Sequence, residues 1–252
     1  MRMFKKIFLT ILLVIFSFYY TNKVLDFIKS KDQIMIEIKE NKDNYKINAI
    51  DAIIENNTII PGKCGLVVDV NLSYLKMKKL NYYSDSLLVF KKIPPSISLK
   101  NQFDKLILSG NSSKKQISIL LKISDINIIN KINNQSINII LETKFINKNQ
   151  EYLKTISNDI VVFEEKNPSS LAKFCYAEKK YHGFCKDSNL YTINPFYISH
   201  NYYYNTYIHL ENGRMFSYQI KTEKELQEIS ILIQGIKNLG YEIVSLSTLL
   251  EE

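Results

Sequence analysis

The sequence predicts an α/β chain in three parts: an apolar membrane-anchor or signal segment over residues 1–30, a small α+β module over 31–110, and an α/β domain with a mainly parallel sheet over 111–252. Three observations carry this. An unbroken apolar run, residues 7–20 (IFLTILLVIFSFYY), follows Arg2, Lys5 and Lys6. Beyond Asn111 short apolar strands alternate with helical patterns. Near the end, Thr222 and Glu225 form a capping box ahead of an apolar stripe, Leu226, Ile229, Ile233 and Ile236, which Gly240 terminates.

As a helix the apolar run spans ~21 Å, short of a ~30 Å hydrocarbon core. Snorkelling lysines at one end and Val24, Leu25, Phe27 and Ile28 at the other extend it, with Tyr19 and Tyr20 at the interface. A cleaved signal peptide is the rival reading. No small-x-small cleavage site follows the run, which favours an uncleaved single-pass anchor in the cell membrane, with the basic residues inside and the rest of the chain outside.

In the module, residues 31–40 (KDQIMIEIKE) read as a strand or the tail of a stalk. Residues 44–62 read as two strands around Glu55-Asn56-Asn57, ended by Pro61-Gly62. A short helix starts at Asn71 and uses Leu72, Leu75, Met77 and Leu80. Residues 86–93 form a strand stopped by Pro94-Pro95, and residues 104–110 form another. In the following domain, strands are expected over 116–123, 137–144, 159–163, 190–193, 214–220 and 242–246, and helices over 126–133, 149–157, 169–179 and 222–239.

The net charge is +8, but the lysines fall in scattered pairs such as Lys78-Lys79 and Lys114-Lys115 among acids. With no basic stripe and no recognisable motif, nucleic acid is excluded as the expected partner; an anionic envelope polymer suits an exported protein better. Outside the membrane Cys175 and Cys185, ten positions apart, would close a small loop worth roughly 3 kcal/mol. Two buried thiols, or a zinc site with His182, are the alternatives.

The stretch HNYYYNTYIH, residues 200–209, holds two of the three histidines. Read as a loop or edge strand it half-buries its tyrosines, with His200, Tyr202 and Tyr204 on one face and Asn201, Tyr203 and Asn205 on the other. Tyr202, Tyr203, Tyr204 and Tyr207 would otherwise form a sugar-stacking platform. His200, His209 and Glu211 are the only metal candidates in this region, and the spacing gives them no supporting geometry. Glu164-Glu165, or Asp159 with Glu142, are conceivable glycosidase pairs, a weak signal in a chain with 25 acids. No phosphate loop, serine elbow or Cys-His nucleophile pattern is present.

The segments LENGRMFSYQI (210–220) and LGYEIVSLSTLLEE (239–252), separated by the capped helix, resemble the end of polysaccharide deacetylases of the NodB-homology type. Working backward, QISILLKIS resembles that family's first barrel strand, NDIVVFEEK its metal-binding strand and FCYAE a later strand. Residues 57–79, SLLVFKKI and DKLILSG resemble the module of anchored deacetylase-like proteins of low-GC bacteria. The resemblance covers residues 47–252 in pieces and implies a (β/α) barrel, incomplete because 111–252 is shorter than the ~200 or more residues of a usual one.

It also implies a metal-assisted hydrolysis by two aspartates and three histidines. The matching positions here are Lys122 and Ile123 for the aspartates, with Asp125 two residues late, Phe163 and Lys166 for the metal histidines, and Gln219 for the last histidine. Lysine cannot stand in for a carboxylate, phenylalanine offers no lone pair, and no histidine precedes His182. The expectation is therefore a pseudoenzyme without cofactor that binds envelope glycan or a protein partner. The alternatives are a zinc- or other divalent-metal-dependent deacetylase with ligands relocated to His182, His200, His209 and Asp125, and a structural assembly protein.

Overall fold

The computed structural model describes residues 2–132, 134–163, 171–176 and 182–252. Its contacts divide the chain into two compact units, residues 1–48 with 65–93, and residues 49–64 with 94–252.

The first unit begins with helix α1 (Arg2–Ser30). Its segment Ile11–Ser30 is long and apolar enough to cross a membrane. Helix α2 (Gln33–Asn41) follows, where a strand or stalk is expected: Asp32 caps it by accepting from the Ile34 amide, and Ile34, Met35 and Ile38 are buried at helical spacing. The apolar alternation of QIMIEIK fits either period, and the capping aspartate with the i, i+4 burial decides for the helix. Asp32 also binds Tyr74 (3.1 Å) and Lys78 (2.5 Å), and the Lys78 ammonium holds its carboxyl below the usual range.

In the second unit, Asn56 at φ 52° makes the turn between strands β1 (Ile53–Glu55) and β2 (Thr58–Ile60), as expected. Strand β3 (Gly65–Val68), helix α3 (Val70–Lys78) and strand β4 (Phe90–Ile93) return to the first unit. Helix α3 is capped by Asp69 rather than Asn71 and buries Ser73, Tyr74 and Met77, leaving the expected core residues Leu72 and Leu75 exposed.

The remaining elements belong to the second unit: β5 (Leu106–Ile107), β6 (Gln116–Lys122), α4 (Ile126–Ile129), β7 (Ile137–Leu141), α5 (Thr143–Lys148), α6 (Gln150–Leu153), β8 (Ile160–Phe163), β9 (Phe174–Tyr176), α7 (His182–Asp187), β10 (Tyr191–Ile193), β11 (Phe196–Ile198), α8 (Tyr202–Ile208), β12 (Met215–Gln219), α9 (Glu223–Asn238), β13 (Glu242–Ile243) and α10 (Leu246–Leu249). The helix expected over 169–179 is corrected at its centre, where residues 174–176 are strand β9, the structure implied by the family resemblance; residues 169–170 and 177–179 lie outside the described residues. A three-residue strand is too short for its periodicity to outvote a longer apparent helical pattern.

One curled half-barrel sheet runs β1-β2-β5-β10-β9-β8-β7-β6-β12-β11, with β13 on β6. Every pairing in it is parallel except β1 with β2. Side chains alternate across it. The concave face carries Leu120, Ile140, Val161, Phe174, Ile193 and Met215, packed with Leu246 and Leu249. The other carries Ile119, Leu121, Ile139, Val162, Cys175, Phe216 and Tyr218 against Ile229, Leu232 and Ile236 of α9.

Residues 244–252 tie off the strand starts. Ser118 donates to the Val244 carbonyl (2.5 Å), Asn138 accepts from the Leu246 amide (2.8 Å), and Asp159 accepts from the Ser247 amide (2.7 Å) and hydroxyl (2.9 Å). The Glu252 side chain accepts from the amides of Gly62 (3.1 Å) and Leu99 (2.7 Å).

Candidate functional site

In parallel barrels the chemistry gathers where the strands end. Here β6, β7, β8, β9 and β12 end in Lys122, Leu141, Phe163, Tyr176 and Gln219. Lys122 lies on the same face of β6 as the inward Leu120, and Gln219 is its register partner on β12. Phe163 is the register partner of Tyr176, with ring centroids 5.3 Å apart. The Lys122 ammonium crosses β7 to sit 3.3 Å above the centroid of the Phe163 ring. Lys122, Ile140, Glu142, Phe145 and Gln219 line a cavity of about 150 Å³.

Three family-matched positions thus converge at one opening, while Ile123 turns into the core behind it and Lys166 lies outside the described residues. These residues do not fit a divalent metal ion. An ammonium repels a cation and has no free lone pair, Phe163 has none, and the amide of Gln219 is a poor ligand beside a single carboxylate, Glu142. Asp125 is occupied as the cap of α4, accepting from the Asn127 amide at 2.9 Å. Among the described residues no three His, Cys, Asp or Glu side chains are grouped to hold a metal.

Within the stretch 200–209, Tyr202–Ile208 form a helix rather than a loop or edge strand, and the alternating faces are replaced by an i, i+4 pattern. Asn201, at φ 49°, turns the chain into it. Tyr202 and Thr206 face the core: Tyr202 packs edge-on against Tyr218 (5.4 Å) and donates to the Gln219 carbonyl, and Thr206 is hydrogen-bonded to the Tyr218 hydroxyl (2.8 Å). Burial raises the Tyr202 and Tyr218 phenols above their usual range. Tyr203 and Tyr207 stack at 6.5 Å on the outer face, and Tyr204 is 68% exposed. Tyr203 and Tyr204 border an open cleft of about 770 Å³ with His200, Lys224 and Glu228.

His200 lies ahead of the helix, before the left-handed Asn201, and His209 stands at its opposite, C-terminal end. His200 bonds Ser199, the His209 ring lies 4.3 Å from that of Phe196, and Glu211 pairs with Arg214. These three residues are not brought together. Glu142 and Asp159 are likewise split, one after the end of β7 and one before the start of β8, about 13 Å apart along the strand direction; Glu164 and Glu165 lie outside the described residues.

Cys175 and Cys185 form a disulfide, joining β9 to α7 within the core behind the sheet. Both sulfurs are thereby used, so neither serves a zinc site with His182, whose side chain is not described. Sequence reasoning misses Tyr176 and Phe196, which with Tyr197 and Arg214 line a cleft of about 550 Å³. A signal for Tyr176 exists in the chain, since it ends a parallel strand as Lys122 and Phe163 do.

No protein-family model matches the chain. The uncharacterized protein YlxY of Bacillus subtilis is 29% identical over 96 residues, 38% of this chain and 30% of that protein, so the match spans less than a third of the relative's length. Among solved structures, BA3943 of Bacillus anthracis, described as a CE4 family pseudoenzyme, is 18% identical with a TM-score of 0.59, covering 88% of this chain and 96% of that one. A BA3943 mutant with restored enzymatic activity matches with the same score over 88% of this chain and 99% of its own. The chain therefore has a degenerate polysaccharide deacetylase-like fold, as the resemblance of its strand segments implies.

Proposed function

We propose that this chain is a membrane-anchored, extracellular protein whose deacetylase-type half-barrel does not hydrolyse but binds envelope glycan. The observation that carries the reading is the Lys122 ammonium seated on the Phe163 ring, opposite Gln219, at the strand ends where such a barrel would hold its metal. A positive charge there opposes the divalent ion that the reaction requires. Export is supported by the length and apolarity of α1 and by the Cys175–Cys185 bridge, which suits an oxidising compartment. Glycan binding is supported by the exposed Tyr203, Tyr204 and Tyr207, whose rings offer apolar faces with polar rims.

The test uses the full chain in detergent micelles with zinc, cobalt or nickel and an N-acetylated oligosaccharide. No acetate is expected above the buffer rate, and wall fragments are expected to bind saturably, more weakly for Tyr204→Ala. Metal-dependent acetate release refutes the non-catalytic reading, and absence of saturable binding refutes the glycan reading. Protease added to intact cells is expected to degrade the region beyond α1.

A further inference from the structure

The 150 Å³ cavity at the ends of β6, β7 and β12 is lined by three polar side chains, Lys122, Glu142 and Gln219, that make no hydrogen bond or ion pair among the described residues. The Lys122 ammonium sits on the Phe163 ring, and among the described residues no carboxylate lies within ion-pair distance of it. The side chains of Gln219 and Glu142 make no hydrogen bond to any described residue. The half-buried ammonium and the amide offer donors from neighbouring strands at one register position, and Glu142, the carboxylate that lines the same cavity, makes no ion pair with Lys122.

We infer that this cavity binds a carboxylate, held by the Lys122 ammonium and the Gln219 amide, with Glu142 at the rim accepting from a hydroxyl or N–H on the same ligand. At about 150 Å³ the cavity admits a carboxylate and its attached carbons. The rest of an acidic sugar would lie outside, toward Phe145. Ring contact keeps the ammonium in place without neutralising it, so the charge stays available to an anion. The inference rests on the reading that the barrel binds rather than hydrolyses glycan, and it makes that glycan an acidic one.

Calorimetric titration of the full chain in micelles separates the possibilities, using N-acetylmuramic acid and glucuronic acid as acidic sugars, N-acetylglucosamine as the neutral one and lactate as a free carboxylate. The acidic sugars and lactate are expected to bind and the neutral sugar not. Lys122→Met is expected to weaken binding about tenfold, the loss of one charge-assisted hydrogen bond. Glu142→Gln, which removes a like charge, is expected to tighten it about threefold. Should Lys122→Met fail to fold, the Glu142→Gln direction and a fall in affinity with added salt carry the test. Equal binding of acidic and neutral sugars, or of wild type and Lys122→Met, overturns the inference. Wall fragments that bind wild type and Lys122→Met alike overturn it while leaving the glycan reading intact; Lys122-dependent binding of lactate with no binding of any sugar supports the carboxylate site and sinks the glycan reading instead.

Discussion

Replacing Asp159 by alanine tests whether this carboxylate is structural or chemical. It accepts two hydrogen bonds from one residue, the amide and hydroxyl of Ser247, at 2.7 and 2.9 Å and part-buried. Hydrogen bonds to a charged acceptor contribute about 1.5–3 kcal/mol when intact; two sharing one partner in a part-buried site give an expected loss of about 2–3 kcal/mol. For a chain of this size ~1 kcal/mol moves the melting temperature by about 2–4 °C, so the expected fall is about 4–12 °C. Ser247→Ala removes only the hydroxyl bond, together with the Lys173 contact to it, and is expected to cost about 1 kcal/mol. The two residues touch, so the double variant should be little worse than Asp159→Ala alone, giving a coupling of about 1 kcal/mol. Thermal unfolding followed by near-ultraviolet circular dichroism reads all four proteins. Additive losses, or an Asp159→Ala variant that melts with wild type, would refute the assignment of Asp159 to fastening the sheet.

Cys175→Ser is expected to destabilise the second unit by about 3 kcal/mol, the loop-closure contribution of the bridge, and to abolish the effect of added reductant on the melting temperature. Gly213→Ala is expected to cost about 1–3 kcal/mol, because Gly213 stands at φ +80° and the Gly110 carbonyl occupies the space a Cβ would need; urea unfolding checks it. Glu225 accepts from the Lys221 and Thr222 amides, bonds that hold its carboxyl below the usual range. A depressed folded value stabilises above the unfolded value of ~4.3, so that part of the stability should fade as pH drops below about 5, and Glu225→Gln should flatten it; identical acid titrations of wild type and variant would count against this.

Legibility in the sequence followed the length of each element and the strength of its punctuation. Helix α9 is readable because sixteen residues repeat one stripe between Thr222 and Gly240. Strands β6 to β8 are readable as apolar runs buried on both faces. Helix α2, strand β9 and helix α8 are misread because nine, three and seven residues fit more than one period, and tertiary partners chose among them: Met77 and Tyr74 for the first, Cys185 for the second, Tyr218 for the third. That Lys122, Phe163 and Gln219 each stand at or near the end of a strand follows from the strand segments themselves, which the sequence marks as short apolar runs. That Lys122 reaches across β7 to Phe163 does not, because two non-adjacent strands meet only through sheet curl, which leaves no mark on spacing.

The fastening of the strand starts by residues 244–252 also sets an order of events in time. Ser118, Asn138 and Asp159 are synthesised roughly a hundred residues before the backbone groups that satisfy them. If the chain is threaded through a membrane, it emerges on the far side with the inner apolar row of β6, β7 and β8 uncovered, and it stays so until Leu246 and Leu249 follow. A chain threaded in that way would close its half-barrel only once residues 244–252 had emerged, and the interval before closure is when it would be most exposed to proteases and to unwanted strand pairing.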